Sequence, residues 1–392
     1  MSSKPRFVGE RVKLGDVCTI VSGATPKTKT NEYWGGEIRW VTPAELDGDS
    51  HYISDTEKHL TEAGYKSASL RMMPKGTVLL TTRAPIGKVA IAAEEMSCNQ
   101  GFKNLVCSSA INNEFLYLYL KSRTAELQAM GRGATFKELS KKNVAGFEIN
   151  LPAIDRQLDA VAKLTAVRSQ IALAKQQHDQ LDSLVKSRFI EMFGDPCDPK
   201  SEKERSRIDS FCELRIGPFG SALHKEDYIS NGHPLVNPSH IVNGAVRPDW
   251  DLTINDAKYE SLAAYQLFPG DVVLGRRGEI GRCAVVDKDG MICGTGSMIL
   301  RPDRKVRSGY LQRVVSFPSF RRALENNAVG VTMKNLNAKI VGSAEVYLPK
   351  LKDQDAFAAF VHQVDKSRFI AQQQIEKLQM LYDSLAQDYF GD

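Results

Sequence analysis

No run of apolar residues in this chain approaches the ~20 needed to cross a bilayer, and the opening MSSKPRFVGE lacks a signal peptide's apolar core. A membrane-bound or exported protein is therefore not expected, and the cytoplasm is the expected compartment. Cysteine is sparse: seven residues, scattered, with no C-x-x-C pair. That speaks against a disulfide framework or a zinc knuckle and fits a reducing compartment. Phosphate-binding loops are missing too. There is no G-x-x-x-x-G-K-[ST] segment and no G-x-G-x-x-G opening a helix. The glycines of Gly275-Arg276-Arg277-Gly278-Glu279-Ile280-Gly281 have the wrong spacing for a dinucleotide. The seven histidines fall on unrelated segments without metal-ligand spacing, so no metal site is expected. The carboxylates form no nuclease set. Asn237-Pro238-Ser239-His240 has the start of an amino-methyltransferase Asn-Pro-Pro-aromatic loop but lacks its second proline and aromatic. No catalytic residue is assigned. Excess charge is small as well, +5 from 52 basic and 47 acidic residues, so any nucleic-acid footprint must be local.

What the chain does have is a duplication. Residues 151–195 form a long helical pattern closed by Phe193-Gly194-Asp195, and residues 348–392 repeat it without a gap at an offset of 197. Leu151/Leu348, Pro152/Pro349, Gln157/Gln354, Leu181/Leu378 and the closing Phe-Gly-Asp coincide. A repeat near half the chain length means two copies of one unit. With 392 residues there is room for each copy to bury its own core. The order is a globular domain (1–150), a helix (151–195), a second domain (196–347) and a second helix (348–392).

The domains mix short β-like runs, such as Val17–Val21, Ile38–Val41, Thr77–Thr81 and Val89–Ala92, with helical stretches near Asn113–Lys121 and Arg123–Met130. The fold class is α+β. Their frames match: Gly23 with Gly217, Val41-Thr42-Pro43 with Val236-Asn237-Pro238, and Arg83-x-x-Ile86-Gly87-Lys88 with Arg277-x-x-Ile280-Gly281-Arg282. Cys98-x-x-Gly101 matches Cys293-x-x-Gly296, and Gly133-x-Thr135-x-Lys137 matches Gly330-x-Thr332-x-Lys334. The middles, Asn31–Tyr65 against Ser221–Tyr259, diverge most. One scaffold carrying two specificities is the economical reading.

Each helix shows a heptad seam. Leu164, Ile171, His178 and Val185 take a positions, with Ala160, Val167, Ala174 and Leu181 at d. The copy gives Val361, Arg368, Ile375 and Tyr382 at a, with Phe357, Val364, Ala371, Leu378 and Leu385 at d. Each helix needs an apolar partner, and the other copy supplies one. Antiparallel pairing about a pseudo-two-fold axis puts His178 beside Arg368, one polar layer that either fixes register or holds two snorkelling side chains. From Ala160 to Arg188 such a helix measures roughly 43 Å at 1.5 Å per residue. It is a spacer of definite length.

Basic residues sit on glycine-bearing loops in both halves. Thr25, Lys27 and Lys29 follow Gly23; Arg83 and Lys88 match Arg277 and Arg282, with Arg276 alongside. Thr135, Lys137 and Lys141 follow Gly133, as Thr332 and Lys334 follow Gly330. Glycine lets backbone approach phosphates, lysine neutralises them, and arginine grips a guanine edge with two donors. The alternative for any one of them is a solvated loop charge. Recurrence in both halves favours the group as DNA-binding candidates.

With the run VKLGDVCTIVSGATPKTKTNEYWGGEIRWVTPAEL and the two Leu-Pro-opened helix repeats in view, the chain resembles the specificity subunit of a type I restriction–modification enzyme. The resemblance covers essentially the whole length. The second domain departs from it, carrying Arg215-Ile216-Gly217-Pro218-Phe219-Gly220 in place of the Gly-x-Thr-Pro loop and lacking the Tyr-Trp pair. The resemblance implies two target-recognition domains, each reading half of a bipartite, asymmetric site on double-stranded DNA. It implies paired helices that set the spacing and dock two methyltransferase subunits, with restriction/motor subunits joining the assembly. S-adenosylmethionine, ATP and Mg would then belong to those partners and adenine N6 methylation to the complex; this chain itself would hold no cofactor and do no chemistry. A related system whose partner combines methylation and cleavage in one chain, or a coiled-coil scaffold without DNA, are the alternatives.

Overall fold

The computed structural model describes residues 9–48, 51–83, 85–132, 137–198, 202–219, 222–278, 280–327 and 335–391. It is an α+β protein divided into two compact units, residues 1–176 with 372–392, and residues 177–371. Two helices of 40 residues, Ile154–Phe193 and Leu351–Phe390, each contribute to both units. The start of the first shares a unit with the end of the second, and the reverse holds in the other unit, so the helices run antiparallel.

In the first unit a five-stranded sheet has the order Cys18–Ser22, Lys103–Cys107, Val78–Thr82, Ile86–Ala92, Tyr52–Ile53. Val78–Thr82 is buried along its whole length, as expected for a central strand packed on both faces. The helix Asn113–Ser122 covers one face; the Asn112 side chain caps it by accepting from the Phe115 amide at 3.1 Å. A second sheet joins His59–Leu60, Trp34–Val41 and Ser97–Cys98, the last pair parallel. A further helix, Thr124–Ala129, follows, and the β-like and helical runs read from the sequence all lie on or within two residues of these elements.

The second unit repeats the plan. Cys212–Ile216, Ser297–Pro302, Val272–Gly275 and Cys283–Val285 form a sheet in the same order as the first four strands above. His233–Val236 pairs in parallel with Met291–Cys293, so Val236 faces Cys293 as Val41 faces Cys98. The units part company in the divergent middles. Where the first unit adds Tyr52–Ile53 to its main sheet, the second has a hairpin, Ile241–Val242 with Ala245–Val246.

The long helices bury the heptad stripe within each unit. Ala160, Leu164, Ile171 and Ala174 are buried and Val167 is half-buried; Ile375, Leu378, Tyr382 and Leu385 are half-buried on the second helix. In the second unit Val185, Phe357 and Val364 are buried, and Leu181 and Val361 half-buried. Arg368 ends in two ion pairs, with Asp182 and, at 2.8 Å, with Asp365. His178 is half-buried with Asp179 3.7 Å away. Leu14, Leu80, Leu105, Phe115 and Leu116 pack with Leu164 and Phe390, so the first domain's core is closed by both helices. Ile208, Phe211, Val272, Tyr310 and Leu311 do the same with Val185, Phe193 and Phe357.

A buried glutamine anchors the start of each helix. Gln157 Oε1 accepts from the Asn112 amide at 2.8 Å, while Nε2 donates to Ala110 O at 3.0 Å and Pro152 O at 2.8 Å. Gln354 makes the same three bonds, from the Arg307 amide and to Lys305 O and Pro349 O, at 2.7, 3.1 and 2.8 Å. Leucine has glutamine's size but would orphan one amide and two carbonyls. Gln157→Leu is therefore expected to lower the stability of the first unit by about 3 kcal/mol or more, at 1–3 kcal/mol for each of the three buried groups left unpaired. Urea denaturation measures it, and a change below ~0.5 kcal/mol would refute the anchoring role.

Candidate nucleic-acid interface

Four segments meet at one end of the first unit's sheets. Gly23 approaches the loop after Ser97–Cys98 so closely that a Cβ there would lie 1.9 Å from Asn99 O. Only glycine permits that contact, which the Ala24 amide completes by donating to Cys98 O at 3.1 Å. Thr25 donates its hydroxyl to Gln100 Oε1. The Thr82 amide donates to Gly101 O at 2.8 Å, and the Leu139 amide to Thr82 O at 2.9 Å. Next along the chain, Arg83 bridges Glu138. The Gly23 loop, the turn after Thr82, the Asn99–Gly101 loop and the segment ending at Leu139 thus form one surface.

The second unit builds this frame with different residues. A Cβ on Gly217 would lie 2.0 Å from Gly294 O. The Arg276 amide donates to Gly296 O and the Leu336 amide to Arg276 O, both at 3.0 Å, and Arg277 bridges Asn335. Arg277 therefore stands where Arg83 stands, and Arg276 takes the place of Thr82.

These frames sort the basic candidates. Lys27, Lys29, Lys137, Lys141 and Arg277 are exposed and Arg83 is half-buried. Arg276 is corrected: it is only 6 % exposed, and its guanidinium donates to Thr295 O and Leu336 O, each at 3.2 Å. Burial, then Arg277, holds its pKa below the usual arginine range. It braces the loops from inside. Lys88 is also turned inward, donating to Leu46 O and, at 3.5 Å, to Pro43 O. Arg282 is half-buried and faces a cavity beside the long helices. Thr135, Thr332 and Lys334 lie outside the described residues.

Sequence reasoning missed Phe219, which is 67 % exposed on the loop beside Arg277's frame. Its only signal was the departure from Gly-x-Thr-Pro at that loop. Thr295 was missed too; its hydroxyl fastens the loop by donating to Pro218 O at 2.7 Å. The Asn237-Pro238-Ser239-His240 stretch opens a 3-10 turn, and Pro238 packs where a Cβ on Gly296 would come within 2.9 Å. Pro43 does the same at Gly101, so both are parts of the frame. Among the described residues no three His, Cys, Asp or Glu side chains converge as a metal site. No described helix is long and apolar enough to cross a membrane.

Comparison with known proteins adds four findings. The model of the type I restriction modification DNA specificity domain matches residues 9–183 and again 200–380. The type I restriction enzyme MjaIX specificity subunit of Methanocaldococcus jannaschii is 35% identical over 251 residues, 59% of this chain and 58% of that protein, so the match spans somewhat over half of that relative's length. Among solved structures, a chain from work on assembly and conformational transition of the type I R-M system superposes with TM-score 0.68 at 19% identity, covering 98% of both chains. The type I restriction–modification S subunit from M. genitalium superposes with TM-score 0.58 at 13% identity, over 100% of this chain and 98% of its own.

Proposed function

Because this chain belongs to the family defined by the type I restriction modification DNA specificity domain, and carries that domain twice, we propose that it is the component that tells a methyltransferase complex where on duplex DNA to act. Each recognition domain reads one half of a bipartite, asymmetric site. The observation that carries this reading is Arg83 and Arg277 at one position of the same loop frame, amid different neighbours. Equal frames place the two domains' donors alike, and unlike surroundings read unlike bases. Exposed lysines on the adjoining loops of the first unit supply phosphate contacts.

The long helices set the spacing between half-sites and dock the partners. Their solvent faces carry large apolar residues that a lone chain has no reason to expose: Leu173, Met380 and Leu381 in the first unit, Leu184, Phe369 and Ile370 in the second. Leu173 and Ile370 share one place in the 197-residue repeat, as do Leu184 and Leu381. A surface offered twice fits two copies of one partner, the methyltransferase subunits, with restriction/motor subunits joining them in the cytoplasm. S-adenosylmethionine, ATP and Mg belong to those partners in this reading, and the present chain is not itself an enzyme.

Methyl transfer to DNA by the purified chain is expected to be undetectable. Adding its methyltransferase partner is expected to give adenine methylation confined to one bipartite sequence. Methylation by the chain alone, or methylation without sequence preference by the complex, would contradict the assignment.

A further inference from the structure

The two units differ in one place that DNA reading does not account for. In the first, the space between the helix Asn113–Ser122 and the strand Tyr52–Ile53 is filled by an aromatic stack. The His51 ring lies between Tyr52 and Tyr117, with centroids 4.3 and 4.4 Å away and planes within 11°. His51 Nε2 is tied to Glu114 at 2.6 Å, and Arg168 donates to the Tyr117 hydroxyl at 3.3 Å. The equivalent place in the second unit can be fixed by its anchors. Phe115 packs on Phe390 at 5.5 Å as Tyr310 packs on Phe193 at 5.0 Å. Counting on from those anchors, Tyr117 corresponds to Gln312 and Leu118 to Arg313.

There the second unit has a cavity of about 1060 Å³ instead of a stack, with Gln312 and Arg313 on its wall. The Ile241–Gly244 hairpin and Phe317 give it an apolar side. Four cations line it, Lys186, Arg282, Arg313 and Arg368, against two carboxylates, Asp179 and Asp182. Arg368 is already paired with Asp182 and Asp365, yet its Nε is buried without a hydrogen-bond partner. The Arg313 carbonyl accepts from the Ser316 hydroxyl at 3.2 Å, but its guanidinium makes no hydrogen bond among the described residues. It is held below the usual arginine pKa by burial and then by Arg368, with Asp365 and Asp182 acting in the opposite direction. Two guanidiniums lining one cavity, that of Arg313 without a hydrogen bond among the described residues, present donors in the fork geometry that suits phosphate. A pocket of this size with an apolar wall and a few convergent polar groups suits a small organic ligand.

We propose that this cavity of the second unit binds an organic phosphate of mononucleotide size, its phosphate held by Arg313 and Lys186 and its ring set against the Ile241–Gly244 hairpin and Phe317, where the first unit uses its own His51–Tyr117 stack. The site is independent of the loop frame at Arg277. Isothermal titration of the full chain with AMP, adenosine and inorganic phosphate tests it. AMP is expected to bind once per chain and more tightly than either fragment. Arg313→Gln and Lys186→Gln are each expected to weaken AMP by about tenfold or more, as loss of a charge-assisted contact does. Lys377→Gln, on an exposed helix face of the first unit, should leave AMP binding unchanged. Should Arg313→Gln fail to fold, Lys186→Gln, exposed on its helix, decides alone. The proposal is overturned if AMP does not bind, if it binds no better than inorganic phosphate, if folded variants bind it unchanged, or if duplex DNA displaces it.

Discussion

Phe390→Ala is expected to lower the stability of the first unit by about 3–5 kcal/mol, the range for deleting a fully buried aromatic ring. The ring is 2 % exposed and meets Phe115 at 5.5 Å and Tyr119 at 5.3 Å, edge to face in both cases. Truncation would open a void among side chains that have no slack to close it. Its backbone and its neighbour are tied down as well: Asn150 donates to Phe390 O at 2.7 Å, and Lys163 donates to the Tyr389 side-chain hydroxyl at 3.0 Å. Loss of this plug should therefore release the end of the second long helix from the first unit. Phe193→Ala should act alike on the second unit, where Phe193 meets Tyr310 at 5.0 Å and Phe357 at 5.6 Å. Leu381→Ala, on an exposed position of the same helix as Phe390, should change stability by less than about 0.5 kcal/mol. Denaturation followed by circular dichroism separates these cases. A Phe390→Ala change under ~1 kcal/mol would mean that the end of the helix is not part of the first unit's core.

Arg83→Ala and Arg277→Ala are expected to act on different halves of the target. If each guanidinium reads a base edge, its loss costs about 1–3 kcal/mol, roughly five- to 150-fold, in discrimination at one half-site. Arg83→Ala should relax the half read by the first domain and leave the other intact, and Arg277→Ala the reverse. Lys29→Ala should instead weaken binding evenly across sequences and reduce its salt dependence, as a phosphate contact does. Arg276→Ala should do something different in kind. It orphans Thr295 O and Leu336 O and is expected to cost the second unit about 2 kcal/mol of stability or more, at 1–3 kcal/mol for each. Competition binding of the assembled complex against half-site variants reads the first three, and denaturation the last. Equal relaxation of both half-sites by either arginine variant would contradict the division of labour.

Much of this was legible because duplication makes a sequence its own comparison. Offset pairs such as Gln157/Gln354 and Phe193/Phe390 proved to hold matching places, since each does the same packing or bonding job in its unit. The heptad positions were readable because a buried helix stripe needs one apolar residue every three or four positions. Gly23 and Gly217 marked the loop frame, where no side chain fits against the carbonyl opposite. The direction in which individual charges point was not legible. Arg276 and Arg277 are adjacent, yet in a strand-like segment alternate side chains leave opposite faces, so one is buried and the other exposed. Lys88 and Arg282 hold equivalent positions, but one reaches backbone carbonyls of its own domain and the other a cavity. Nothing in composition or spacing distinguishes such fates, because they depend on which carbonyls the divergent middles bring near. The exposed Phe219 was likewise visible only as a break in the first domain's loop pattern.

The most direct test of the whole account is to map modified adenines across a genome in cells carrying this chain and its methyltransferase partner, before and after replacing residues 197–347 with the corresponding domain of another specificity protein. The prediction is a bipartite site in which one half changes and the other half, and the spacing between them, persist. A site that changes in both halves, or in neither, would show that the two domains do not read DNA independently.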